Sequence, residues 1–452
     1  MQDYVLMSRL DALRNSLGVV ADNLESKVWQ RGGDRSKPRA ELLGESSLWK
    51  GLQKLITEIN KRIGSLNQIE VELLQGACNE QAAWGRYAKS LRESEDLLRE
   101  CLEIIGSLAI RNQDLDDQLL YVADELIRDC VTVSISDQNY YLLVHGTGFS
   151  DAFSRTYARI IRLRFPAWTI WNLPLAAHEV GHVASADVLN EERDQDESLR
   201  LLMPFMANQR KYLIAEDDDL KEKFAKGGDD ATLAESWAFS RLRVLLADAF
   251  ATYTMGPAYA CSAIMLRLNP AAAAQRDIPS DAQRAHVVLS TLRSMNGTNG
   301  HAGPYDWVIG QLDEGWKKAL DGSPASVAGR GADHLKQLTT AFTTDVAPQI
   351  FYAAAKYPSI SPNGGWSKAQ EWATNWLEQL QDGGLFDPPE NSGGKLRDVL
   401  NAAWLCRLSI KGTSDVRSRS HRYLADAATK VCRSVIQSRV TRTQIGPAPV
   451  GP

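Results

Sequence analysis

Ala176-Ala177-His178-Glu179-Val180-Gly181-His182 is the stretch on which the reading of this chain turns. Two histidines four residues apart fall on one face of an α-helix, one turn from each other. Two imidazole nitrogens so placed can reach a single zinc ion at about 2.0–2.1 Å. Glu179 follows the first histidine directly and projects about 100° round the helix from it. That suits a general base beside a metal rather than a ligand to it. The alternative is a pair of helical histidines making ordinary hydrogen bonds. The run Pro166-Ala-Trp-Thr-Ile-Trp-Asn-Leu-Pro-Leu before it is apolar and aromatic, which predicts a buried helix and a partly dry site.

A catalytic zinc takes three protein ligands and one water as a rule. The next informative segment runs from Glu235 to Tyr259 and reads as an apolar helix stopped by Gly256-Pro257. Asp248 lies deep in it, and a lone buried carboxylate is costly unless it meets a charge or a metal. Asp248 is therefore the expected third ligand, giving a set of His178, His182 and Asp248 with Glu179 as the catalytic base. Two readings stand beside it: Asp248 pairs with an arginine or orients a histidine, or Glu235 supplies the ligand. Tyr253, Tyr259, His286 and Tyr305 are candidates by type for stabilising an oxyanion. The acidic stretch through Glu216–Asp219 and Asp229-Asp230 reads as a solvated insertion, with a calcium loop as the remote alternative.

With these residues in hand, positions 165–295 resemble the gluzincin metallopeptidases, and within them the HtpX-like and prenyl-protein peptidases and their soluble relatives. Those families follow their histidine motif with Glu-x-x-Ala-Asp on a helix and then His-Pro-Pro-x-x-x-Arg. Here the matching elements are Val244-Leu-Leu-Ala247-Asp248 and Ile278-Pro279-Ser280-Asp-Ala-Gln-Arg284. The resemblance implies a zinc metallopeptidase that hydrolyses peptide bonds of a protein or peptide substrate. By the same analogy, Arg284 holds Asp248 or Glu179 in place. The family's glutamate ligand falls on Val244, which cannot bind zinc. Its histidine falls on Ile278. Three readings follow: Asp248 takes over, Glu235 does, or metal binding is weakened. The rival functions are an inactive zincin-fold scaffold and a metal-dependent hydrolase of a non-peptide substrate.

The rest of the chain predicts a mainly α protein with at most a small β-hairpin. Leu6, Leu10, Leu13, Leu17 and Val20 recur at helical spacing, as do apolar residues from Leu48 to Ile59 and from Val71 to Ile110. Residues 1–130 are expected to form a helical arm, either packing alone or docking a protein partner. Residues 131–300 form the core. Val131–Ser136 and Tyr140–Val144 are its candidate hairpin strands, and Gly146-Thr147-Gly148 reads as a turn. Residues 301–452 are helical, with breaks near Pro362–Gly365 and Pro388-Pro389 and a disordered tail from Gly446.

Composition excludes several classes. The 51 basic and 56 acidic residues leave a net charge of −5 with no concentrated basic face, so no nucleic-acid partner is expected. No segment reaches the ~20 apolar residues of a membrane span. The first ten residues do not read as a secretory signal. The six cysteines are scattered, against both a disulfide scaffold and a cysteine-built metal site. A cytoplasmic location is expected.

Overall fold

The computed structural model describes, in the main, residues 39–111, 142–146, 160–164, 169–187, 217–270, 276–296, 305–320, 330–346, 366–381, 395–410 and 414–445, with parts of 6–21, 119–126 and 208–215. The candidate strand Val131–Ser136, the Gly/Pro breaks and the tail from Gly446 lie outside the described residues. The protein is mainly helical. Among the described residues, no helix is long and apolar enough to cross a membrane. The chain divides into two compact units: Met1–Asp124 with Gln138–Phe165, and Glu125–Asp137 with Pro166–Pro452.

The first unit is built on α1 (Arg39–Leu74) and α2 (Glu80–Arg111). Leu55, Ile56, Ile59, Leu66 and Ile69 form the buried stripe of α1 and meet Ala83, Tyr87 and Leu97 of α2. Leu6, Leu10 and Leu17 join the same core, so the three- and four-residue spacing near the start is a helix face. Gly76 (φ 68°) turns the chain between the two helices, and the Asn79 side chain caps α2 by accepting from the Ala82 N–H at 2.8 Å. Arg62–Glu93 and Arg86–Glu72 pair across the helices.

The same unit holds β1 (Leu142–Gly146) and β2 (Ile160–Arg164), paired in parallel from Leu142↔Ile160 to Gly146↔Arg164. The expected hairpin joins Tyr140–Val144 to Val131–Ser136, which lies outside the described residues. Tyr140–Val144 marks β1 to within two residues, and among the described residues β1 pairs with a downstream strand that runs the same way. Parallel neighbours need a long crossover rather than a two-residue turn.

In the second unit a 3₁₀ turn (Ile170–Leu175) leads into α3 (Ala176–Asp187). It is followed by α4 (Asp218–Lys226), α5 (Gly228–Met255) and α6 (Pro257–Ser262). A π-turn (Ala263–Arg267) leads on to α7 (Asp281–Met295). The later elements are α8 (Asp306–Leu320), α9 (Arg330–Ala341), a π-turn (Phe342–Val346), α10 (Trp366–Gln381), α11 (Leu396–Ser409) and α12 (Ser414–Ile445). α5 is the axis, with α3, α4 and α7 packed on it. Its second half, from Leu245 to Met255, is buried all round, which explains why apolar residues there show no single face. It stops at Gly256 (φ 65°), a backbone that L side chains rarely adopt, and Pro257 opens α6 at its first turn.

Asn401 of α11 holds that break. Its Oδ1 accepts from the Ala258 N–H at 2.8 Å, and its Nδ2 donates to Met255 O at 3.0 Å. The C-terminal helices thus share a unit with residues 166–300 and fix the corner between α5 and α6.

Candidate functional site

α3 and α5 touch backbone to backbone. A Cβ at Gly181 would lie 2.8 Å from Ala247 Cα and 3.0 Å from Ala247 O, so only glycine permits this approach. The close crossing brings His178 of α3 against Asp248 of α5, with His178 Nδ1 2.8 Å from Asp248 Oδ1. The His178 and His182 rings stand perpendicular with centroids 4.5 Å apart, as neighbours one turn apart on one face.

Asp248 is completely buried and the centre of a polar cluster. Arg284 grips it with two donors, Nε to Oδ2 at 2.8 Å and Nη2 to Oδ1 at 3.0 Å. Tyr259 donates its hydroxyl to Oδ1 at 2.5 Å and stands 3.2 Å from His178 Nδ1. Each carboxylate oxygen is therefore already engaged. Arg284 is aimed by the start of α7. There Ser280 and Gln283 cap each other's backbone N–H, at 3.2 and 2.9 Å, one turn before the arginine.

The charges follow from this packing. Burial alone would push the Asp248 carboxyl up, but the Arg284 guanidinium and the His178 contact outweigh it and hold it ionised, far below the usual range. Burial would lower Arg284, and Asp248 more than reverses that. Burial raises Tyr259 well above an ordinary phenol, so its hydroxyl remains a donor. Burial lowers His178 to about 4 despite Asp248, and lowers His182 to about 2 with His178 adding to the effect. Both rings are neutral near pH 7. His178 then donates its Nδ1–H to Asp248, leaving the lone pair on Nε2.

Glu179 is also buried, and Arg267 Nη2 of the π-turn lies 3.8 Å from its Oε1. The π-turn is closed by the Leu268 N–H bonding back five residues to Ala263 O at 2.8 Å. Ser262, just before it, donates to Trp171 O at 2.6 Å and so ties this corner to the turn that leads into α3.

The structure therefore brings together His178, Glu179, His182, Asp248, Tyr259 and Arg284. Glu235 is set apart: thirteen residues before Asp248 on one helix means about 20 Å along the axis. Tyr253 packs edge-on against Phe342. His286 is half-buried on α7 and projects about 200° round the helix from Arg284. Tyr305 is buried and pairs its backbone N–H with Asn296 Oδ1 at 2.7 Å. The acidic stretch has helix-start roles. Asp217 caps α4 by accepting from the Leu220 N–H at 3.0 Å and pairs with Arg241, while Asp229 and Asp230 occupy the first turn of α5.

Arg267 and Asn401 were not among the sequence candidates. Arg267 has no periodic or motif signal, and Asn401 lies 145 positions beyond the corner it holds. Among the described residues, no three His, Cys, Asp or Glu side chains gather as a metal set. Cys78, Cys261, Cys406 and Cys432 are free thiols. Comparison with protein-family models, curated proteins and solved structures finds no match.

Proposed function

We propose that this protein is a zinc-dependent hydrolase of the metallopeptidase kind, with His178 and His182 as metal ligands and Glu179 as base. The observation that supports this best is the Asp248 carboxylate on Nδ1 of His178. A carboxylate on one ring nitrogen fixes the tautomer and turns the other nitrogen, as a donor, toward a metal. Two neutral histidines one turn apart fit zinc. Asp248 does not fit as the third ligand expected from the sequence, because Arg284, Tyr259 and His178 already engage both its oxygens. Its role in this reading is to orient His178.

When bound, zinc would supply Lewis acidity and bring the pKa of a water to about 7. Glu179 takes the proton of the attacking water and returns it to the leaving amine. Arg267, 3.8 Å from Glu179, helps to hold that carboxylate in place. Tyr259 and Arg284 act through Asp248 and hold His178 still. The proposed substrate is a peptide bond in a protein or peptide.

A second reading is a zincin-like scaffold without turnover. Val244, where the related peptidases carry a glutamate, favours it. Intact Glu179 favours the enzyme, since a structural metal site has no use for a buried base. The deciding experiment is zinc content and peptide-library cleavage for wild type and Glu179→Gln. The hydrolase reading expects about one zinc per chain in both and cleavage only in wild type. A wild type without zinc would overturn it.

A further inference from the structure

The corner between α5 and α6 has two helix ends to satisfy at once. α5 stops with carbonyls that have no partner within the helix, and α6 starts with N–H groups in the same position. The residue between them, Gly256, sits at φ 65° and has no side chain to cap either end. Asn401 of α11 supplies the cap from far downstream. Its Oδ1 accepts from the Ala258 N–H at 2.8 Å, while its Nδ2 donates to Met255 O at 3.0 Å and to Arg397 O at 2.8 Å. The amide cannot be turned round, because its NH2 would then face an N–H and its oxygen two carbonyls.

The residue after Ala258 is Tyr259. Its hydroxyl donates to Asp248 Oδ1 at 2.5 Å and stands 3.2 Å from His178 Nδ1. Its ring lies parallel to the His178 ring, with 6° between the planes. The hydroxyl therefore occupies the place beside the His178 Nδ1–H that a water would otherwise take. α6 is only six residues long, so the way its ends are held sets where Tyr259 points. At its far end Ser262 donates to Trp171 O, in the turn that leads into α3, at 2.6 Å. α11 meets that turn too. Trp404 stands edge-on to Trp171 with centroids 5.3 Å apart, and Arg407 lies over both indole rings at 4.6 and 4.8 Å. One helix thus braces both the lead-in to His178 and the corner that carries Tyr259. We propose that Asn401 is a positioning residue for His178, acting through the α5–α6 corner and the Tyr259 hydroxyl. This rests on the zinc reading for what His178 does, but not for what holds it.

The test is a double-mutant cycle on the metal-free full chain with isotope-labelled histidine. NMR reads the rate at which the His178 Nδ1–H exchanges with water. Buried backbone N–H groups of α5 in the same samples report exchange through global unfolding, and only a change beyond theirs counts. Asn401→Ala and Tyr259→Phe should each speed the exchange at least about tenfold, and the double variant should match Tyr259→Phe within about twofold, since members of one network are not additive. A residue that only stabilises the fold would move the backbone reporters and the imidazole together. Asn401→Asp keeps the volume and the acceptor for Ala258 but loses both donors, and it runs the same cycle where Asn401→Ala does not fold. Equal acceleration by the Asn401 variant in both backgrounds, or none in either, overturns this inference. So does a wild-type Nδ1–H that exchanges too fast to observe. Zinc affinity of the same variant should fall by about 10–100-fold, the range for groups behind a ligand. Coupled exchange in a chain that binds no zinc overturns the zinc reading and leaves the hold of Asn401 on His178 standing. Additive exchange in a chain that binds zinc does the reverse.

Discussion

The two ends of the α3–α5 contact are built on opposite principles. At the His178 end both carboxylate oxygens of Asp248 have partners, an arginine, a tyrosine and the histidine. At the His182 end the neighbour is a cation, Arg243, whose charge adds to the lowering of the ring's pKa. The His178 end is preorganised by the chain. A buried polar network has to be complete to be tolerated, whereas a functional site has to keep a position open.

The contrast breaks most visibly at the base. Glu179→Gln should lower peptide hydrolysis by at least about 100-fold with zinc retained, because an amide cannot take the proton. Loss of the metal in this variant would make Glu179 a ligand and erase the division of roles. Next comes the saturated end. Arg284→Met leaves the Asp248 carboxylate buried without its cation, which should destabilise the fold by about 3–5 kcal/mol in chemical denaturation. Adding Asp248→Asn should recover part of that. A loss under about 1 kcal/mol would mean the cluster is not closed as described.

The close approach between the helices is a smaller lever. Gly181→Ala should cost about 1–3 kcal/mol, since its Cβ meets Ala247 backbone that cannot yield cheaply. Wild-type stability in that variant would show that the helices can separate without penalty. A shallower effect is the pH dependence of the metal-free protein. His178 and His182 have folded pKa values below the unfolded value of about 6.5, so the unfolded chain takes up protons first. Stability is then full above about pH 6.5 and falls as pH drops toward 4, by up to about 1.4 kcal/mol per unit for each histidine. Flat stability over that window would mean that the rings are not buried neutral.

Much of this site was legible in the sequence because the signals are local. Spacing alone put His178 and His182 on one helix face, and Gly256-Pro257 marked the end of α5. The need to compensate a buried carboxylate pointed to an arginine as one partner for Asp248, and Arg284 takes that place. What local pattern could not decide was which of two roles Asp248 takes, since a ligand and an orienting group have the same burial and the same chemistry. The pairing of the strands was equally hidden. Period-two alternation shows a strand but not the direction of its neighbour, and β2 lies beyond the nearest candidate. Asn401 was out of reach because its function is to satisfy backbone groups 143 and 146 residues away.

The most direct test of the central claim is zinc affinity in Asp248→Asn set against His178→Ala. Asparagine keeps the shape and an acceptor oxygen for the His178 ring, so the fold and the site geometry are disturbed least. If Asp248 orients His178, the variant should still bind one zinc per chain, with affinity lower by about 10–100-fold, the range for groups behind the ligands. His178→Ala should lose the metal outright. Loss of zinc from Asp248→Asn as complete as that from His178→Ala, in a folded protein, would contradict the account and return Asp248 to the ligand set.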